Sequence, residues 1–319
     1  MKRTSIRRAA VPGIAVLALT LAACGGADAG SQAGSEGGAS GSVQVDGSST
    51  VEPMSNAAAE LLAEQNPDVK VTVAASGTGG GFEKFCADET DISDASRPIK
   101  EDEEVPLCEK NGVEYTELLV ATDALTVAVH PDLAVDCLTT DQLVQLFEPN
   151  SKITNWSDLD PSFPDQEISL FIPGTDSGTY DYMAADVVAD ESETLRTDVE
   201  SSEDDNVLVQ GISGTEGAVG FFGFSYFEQN SDVVKALAID DGNGCVEPSA
   251  ETAQAGEYTP LARPLFIYVN NKSYGEPAVK EYVDFYVENL EQIAEAAQFI
   301  PLNEEDYSST QDALSSIGS

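Results

Sequence analysis

The 319-residue chain is predicted to fold as an α/β protein, on three observations. Short apolar runs alternate with helical stretches along most of its length. The stretch Glu276–Glu288 sets Val279, Tyr282, Val283, Tyr286 and Val287 at the spacing of one helix face. Clusters of Ser, Thr and Gly stand where strands hand over to helices, the junctions at which open α/β sheets hold ligands. In order, the pattern predicts a strand over 43–46, a helix over 53–65, a strand over 69–74, a helix from about Gly80, a strand over 91–95 and a helix over 101–111. Strands are predicted over 113–120 and 125–129, then a helix over 139–147 with Thr139 as its N-cap. A strand over 168–172, a helix from about Ser177, strands over 218–222, 234–239 and 264–269, and the helix 276–288 complete the reading. No fixed-period repeat occurs.

The first residues set the expected compartment. Lys2, Arg3, Arg7 and Arg8 precede an apolar run, Ala9–Ala23, that is too short to read as a finished membrane span. The run ends in Leu21-Ala22-Ala23-Cys24-Gly25, which resembles a bacterial lipobox. Residues 1–23 are therefore expected to be a signal peptide, with Cys24 lipidated at the new N-terminus. Residues 24–42, dominated by Gly, Ala and Ser, then read as a flexible tether. The expected product is extracytoplasmic and anchored to the cell membrane.

Charge narrows the partners. The formal charge is −42, and loss of the four basic residues of the leader takes it to −46. A nucleic-acid partner is excluded by this balance, because a phosphate backbone needs a basic surface. The acids are dispersed, as in Glu101–Glu104, Glu203–Asp205 and Glu304–Asp306, and read as a solubilising surface. Any anion site must then act by local geometry within a field screened over about 8 Å.

Beyond Cys24 four cysteines remain: Cys86, Cys108, Cys137 and Cys245. An even set in an oxidising compartment points to two disulfides, with three pairings open. There is no C-x-x-C pair, and His130 is the sole histidine, so no metal or cofactor is expected. His130 itself, at the end of a strand pattern, reads as a surface residue.

Three segments share one design: Gly47-Ser48-Ser49-Thr50-Val51, Ser76-Gly77-Thr78-Gly79-Gly80-Gly81 and Gly174-Thr175-Asp176-Ser177-Gly178-Thr179. Each follows a predicted strand and opens a predicted helix, where unpaired N–H groups and a partial positive charge favour an anion. Hydroxyls add donors, and glycines let the ligand approach the backbone. A fourth segment, Asp91-Ile92-Ser93-Asp94-Ala95-Ser96-Arg97-Pro98, ends a strand with Ser and Arg. Beyond the leader the chain has three arginines. Arg196 lies among acids and reads as a helix-surface pair; Arg263 precedes a strand and reads as a structural ion pair. Arg97 stands beside hydroxyls at a strand end, where a guanidinium can grip an oxyanion with two parallel hydrogen bonds.

Together with Gly217-Ala-Val-Gly-Phe-Phe, these motifs resemble the phosphate-binding proteins of bacterial high-affinity phosphate ABC transporters, over nearly all of Val43–Ser319. The resemblance implies a type II periplasmic-binding-protein-like fold with two lobes joined by two crossing strands and a ligand cleft between them. Lobe 1 would be residues 43–121 plus 263–319, and lobe 2 residues 122–262. The favoured disulfides, Cys86–Cys108 and Cys137–Cys245, would each stay within one lobe. By the resemblance phosphate would meet Thr50, Val51 (through its N–H), Ser76, Ser177, Gly178 and Thr179, and the reading of the turns adds Ser49, Gly77, Thr78, Ser96 and Arg97 as expected contacts. The expected partners are inorganic phosphate and permease subunits, with the chain a monomer.

Two departures from the family pattern concern the ligands. Pro173 stands where the family has an Arg, and Arg97 is expected to replace it. Ser96 aligns with a ligand Asp that accepts a proton from phosphate, and Asp94 or Asp176 is expected to serve instead. Another tetrahedral oxyanion (sulfate, molybdate, tungstate) is the rival ligand. A hydrolase built on Ser177 lacks the Gly-x-Ser-x-Gly turn and has only His130 as a histidine base, so no enzyme is expected.

Overall fold

The computed structural model describes residues 38–175, 177–189 and 194–318. Cys24 and Asp176 lie outside the described residues, as does the predicted leader. Residues from Gly38 onward form one compact unit.

The strands are β1 (Gly41–Gly47), β2 (Val69–Ala74), β3 (Ile92–Ala95), β4 (Tyr115–Val129), β5 (Cys137–Thr139), β6 (Ser169–Pro173), β7 (Glu200–Ser202), β8 (Ala218–Gly223), β9 (Lys235–Ala236), β10 (Ala238–Asp240), β11 (Cys245–Val246) and β12 (Ala262–Asn270). Nine form one mixed sheet in the order β2-β1-β3-β12-β4-β8-β6-β7, with β9 paired to β4. β11, β10 and β5 form a smaller sheet.

The sequence pattern predicts two strands where the fold has one. Thr122, Asp123 and Ala124 interrupt the apolar run and read as a break. In the structure β4 runs through them for 15 residues. Its first part pairs antiparallel with β12, and Leu125–Val129 pairs with β8. A strand that changes partners needs no turn at its midpoint. The predicted strand 234–239 does the reverse and divides into β9 and β10.

Two large cores flank this strand. One gathers Val43, Met54, Val69, Leu118, Leu265, Ile267, Tyr282 and Tyr286, among others, around α1 (Glu52–Gln65) and the predicted amphipathic helix, Pro277–Glu288. The other gathers Leu125, Leu143, Phe147, Trp156, Ile172, Met183, Phe221 and Leu261. Members of the first come from 43–121 and 265–294, and members of the second from 125–261. The exchange occurs where Asp123 of β4 faces Arg263 of β12 directly across the ladder.

Local signals hold well where the chemistry is local. Thr139 caps Thr140–Phe147 in a capping box with Gln142. The two disulfides are Cys86–Cys108 and Cys137–Cys245. The second spans 108 residues and the first 22, so on loop entropy the second restricts the unfolded chain more, by about 5 kcal/mol against about 3. Among the described residues no helix is long and apolar enough to cross a membrane, and no group of His, Cys, Asp and Glu could hold a metal ion. Arg196 departs from its surface reading: its side chain is 3 % exposed and binds Asp198 and the carbonyls of Leu146 and Ile153. A residue so placed serves the fold, since an unpaired buried guanidinium would be costly.

Candidate functional site: an arginine-bearing cleft

One wall of the cleft is built from three turns. At the first, β1 ends at Gly47 with φ +148, and a β-carbon there would stand 2.1 Å from the Asp94 carbonyl oxygen. Only glycine lets β1 lie so close to β3. The Ser48 N–H donates to that carbonyl at 2.9 Å. The Thr50 N–H donates to Ser48 Oγ at 3.2 Å, and the Val51 N–H to the Ser48 carbonyl at 3.2 Å. The turn thus engages its own amides and leaves Ser49 and Thr50 facing the cavity.

The second turn opens α2 (Gly77–Cys86). Gly81, one of the run that reads as an anion approach, has a packing role. A β-carbon on it would lie 2.5 Å from Gly47 Cα, so the helix seats directly on β1. Gly77, Thr78 and Gly79 face the cavity. The third turn follows β3. The Ser96 hydroxyl lies 3.1 Å from Thr78 Oγ1, and the Ser96 N–H donates to the same oxygen at 3.3 Å. Arg97 follows, its fork held by Glu104 at 2.9 and 2.7 Å, in the α3 helix (Glu104–Asn111). The Arg97 side chain remains 34 % exposed toward the cleft.

The opposite wall is a short helix, Gly178–Tyr182, that continues as a π-helix over Met183–Val188. The wider turn sets residues five apart on one face, so Asp181 and Asp186 both line the cavity, with Tyr182 and Ala185. The open cavity has a volume of ≈ 510 Å³.

Arg263 joins the walls. Its Nε donates to Asp123 at 3.2 Å, its Nη2 to Thr50 Oγ1 at 3.0 Å and its Nη1 to Asp186 at 2.8 Å. The guanidinium lies 3.6 Å from the Tyr182 ring centroid, a cation–π contact. The Tyr182 hydroxyl is anchored on the Pro260 carbonyl at 2.6 Å. Burial raises the pKa of Asp123, an effect that the neighbouring guanidinium opposes. The sequence reading of Arg263 as an ion-pair former holds, but it missed the cleft. The available signal was its position at the start of a strand that runs between the cores.

Of the predicted ligands, the structure brings Ser49, Thr50, Gly77, Thr78, Ser96 and Arg97 to one cavity. The others fall elsewhere. Val51 is fully buried with its N–H engaged. Ser76 gives both its N–H and its hydroxyl to Asp46 Oδ1, at 3.0 and 2.8 Å. Asp46 is 5 % exposed, is also paired with Lys84, and needs these donors to remain ionised in the sheet. Ser177 caps its own helix, accepting from the Thr179 N–H at 3.2 Å. Gly178 abuts Thr50: a β-carbon on it would lie 3.4 Å from Thr50 Oγ1. Ser177, Gly178 and Thr179 are not among the residues that line the cavity.

Asp94 is a correction of a different kind. It is fully buried, accepts from Ser55 Oγ at 2.9 Å, and its Oδ2 has no partner. Burial pushes its pKa up to about 8. It does not line the cleft and cannot receive a proton from a ligand there. The apolar core behind β3, with Tyr282 and Tyr286, claims the side chain instead.

Comparison with known proteins agrees with this architecture. Residues 33–289 match the family model described as the PBP superfamily domain. Protein SphX of Synechococcus elongatus is 46 % identical over 268 residues, covering 83 % of this chain and 79 % of that protein. The phosphate-binding protein PstS of Staphylococcus saprophyticus is 39 % identical over 302 residues, covering 94 % and 91 %. The crystal structure of a possible phosphate-binding protein from Planctomyces limnophilus superposes with a TM-score of 0.84 at 41 % identity, over 88 % of this chain and all of that one. PstS from Borrelia burgdorferi, at 23 % identity and a TM-score of 0.64 over 82 % of this chain and 99 % of that one, shares the fold. With most of its length matched in sequence and in structure, the chain belongs to the PBP superfamily, in the family of the PstS phosphate-binding proteins.

Proposed function

We propose that this chain captures inorganic phosphate in the cleft and delivers it to the permease subunits of an ABC transporter, acting as a monomeric binding protein with no catalytic step. The observation that carries the reading is the convergence of Arg97 and Arg263 with the hydroxyls of Ser49, Thr50, Thr78 and Ser96 on one cavity. Two guanidinium groups supply charge-assisted donors, and the hydroxyls complete an oxyanion's shell. The carboxylate of Asp181 on the facing wall can accept a hydrogen bond from a protonated phosphate oxygen and repels fully ionised sulfate. The likeness to the phosphate-binding protein PstS of Staphylococcus saprophyticus and to the possible phosphate-binding protein of Planctomyces limnophilus supports phosphate over other oxyanions. The two cores support a division into lobes at 121/122 and 262/263, with β4 and β12 as the crossing strands and closure burying the ion.

Calorimetry on anion-free protein at neutral pH tests the ligand. One-to-one heat with phosphate and none with sulfate is the expected result. Equal binding of both would make the protein a general oxyanion receptor, and no heat from either would sink the reading.

The same proposal places the protein outside the cytoplasm, held by lipid on Cys24. Its support is the lipobox-like run before that residue and the two disulfides of the body. A Cys24→Ser chain should leave the membrane fraction. Its retention there would refute the anchor.

A further inference from the structure

We infer that Asp186 is a built-in competitor for the bound anion, occupying on Arg263 a donor that the anion could use and so tuning the affinity of the cleft; this rests on the phosphate reading above. The three partners of Arg263 are held unequally. Asp123 lies opposite it in the β4–β12 ladder with its side chain 11 % exposed, and Thr50 is 8 % exposed in a turn closed by its own hydrogen bonds. Asp186 projects from the π-helix with its side chain 56 % exposed. It is the arm most easily released.

A carboxylate and a phosphate ask the same thing of a guanidinium: in-plane N–H groups and a positive charge. Asp123, Thr50 and Asp186 each take one of the five N–H groups of Arg263, and Asp186, at 2.8 Å from Nη1, holds one of those an anion in the cavity could use. An anion that left Asp186 in place would sit beside a like charge. Asp186 therefore competes with the anion for the charge of the same guanidinium and for one of its N–H groups. The Asp186–Arg263–Thr50 chain also ties the two walls together. A half-exposed pair of this kind is a weak competitor, so the effect is a tuning of affinity by roughly two- to fivefold.

The test is phosphate titration of the full chain, as wild type and as the near-isosteric Asp186→Asn variant, with a thermal melt of each. The variant should bind phosphate roughly two- to fivefold more tightly. In an Arg263→Gln background, measured by equilibrium dialysis with labelled phosphate, the same change should give no gain. Binding by the wild type with equal or weaker binding by Asp186→Asn overturns the competition and leaves the phosphate reading intact. A gain that persists without Arg263 assigns the effect to the carboxylate's field and also overturns it. Absence of phosphate binding by the wild type removes the phosphate reading, and the competition falls with it.

Discussion

Replacing Arg263 by glutamine is expected to weaken phosphate binding roughly 100-fold, about 3 kcal/mol, far more than the same change at Arg97. Both residues bring a guanidinium to the cleft, but their settings differ. Arg97 gives both arms of its fork to Glu104 and remains a third exposed, where solvent screens its charge. Arg263 is 12 % exposed, backed by the Tyr182 ring and oriented by Asp123, so its charge acts through a poorly solvated path. Glutamine keeps a hydrogen-bonding group and removes the charge. It also leaves Asp123 without its cation in a buried position, so melting of the variant must be followed beside binding; protonation of Asp123, whose pKa burial already raises, limits that loss. Calorimetry on both variants decides the matter. If the Arg263 variant bound like the wild type while the Arg97 variant lost the ligand, the centre of the site would lie at β3 and its following turn.

The second large effect concerns stability rather than binding. Asp94→Asn should stabilise the chain increasingly as pH rises from about 4 to about 8 relative to the wild type. In the folded state burial holds the Asp94 carboxyl protonated, with its pKa at about 8 against 3.8 for the free group. Below the lower value both states carry the proton and the group is neutral toward stability. Between the two values the unfolded chain releases a proton that the folded chain keeps, so wild-type stability is lost as pH rises and the loss is complete above about pH 8. A shift of this size corresponds to something on the order of 5 kcal/mol when fully developed. Asparagine cannot ionise and escapes the penalty. Its amide faces the place where Oδ2 finds no partner, a cost that does not vary with pH. Denaturant unfolding of both proteins at a series of pH values isolates the effect, because the other carboxylates cancel in the difference. Parallel stability curves would show that Asp94 is ionised in the fold.

How much of this was legible follows from the range of the forces. The capping box at Thr139, the helix Pro277–Glu288 and strands β1, β2 and β3 rest on neighbours a few residues apart, and the sequence carries them openly. The final helix, Glu304–Ser316, was not legible: it is largely polar and buries only Thr310, whose hydroxyl reaches the Leu119 carbonyl. The sequence places the start of α2 near Gly80, three residues after Gly77, because glycines weaken a helical signal that close packing on β1 overrides.

For the site the same division holds. By itself the sequence determined the α/β class, the Ser/Thr/Gly turns at strand ends, the even cysteine set and the likeness to phosphate-binding proteins, all of which reside in short motifs and their order. The tertiary structure alone decided which donors face the cavity. It turned Ser76 toward Asp46, sent Asp94 into the core, and carried Arg263 on β12 to meet Thr50, more than two hundred residues before it, and Asp186 on the opposite wall. The physical reason is that a side chain's direction is set by which buried charges must be satisfied first, and those partners are neighbours in space without being neighbours in sequence.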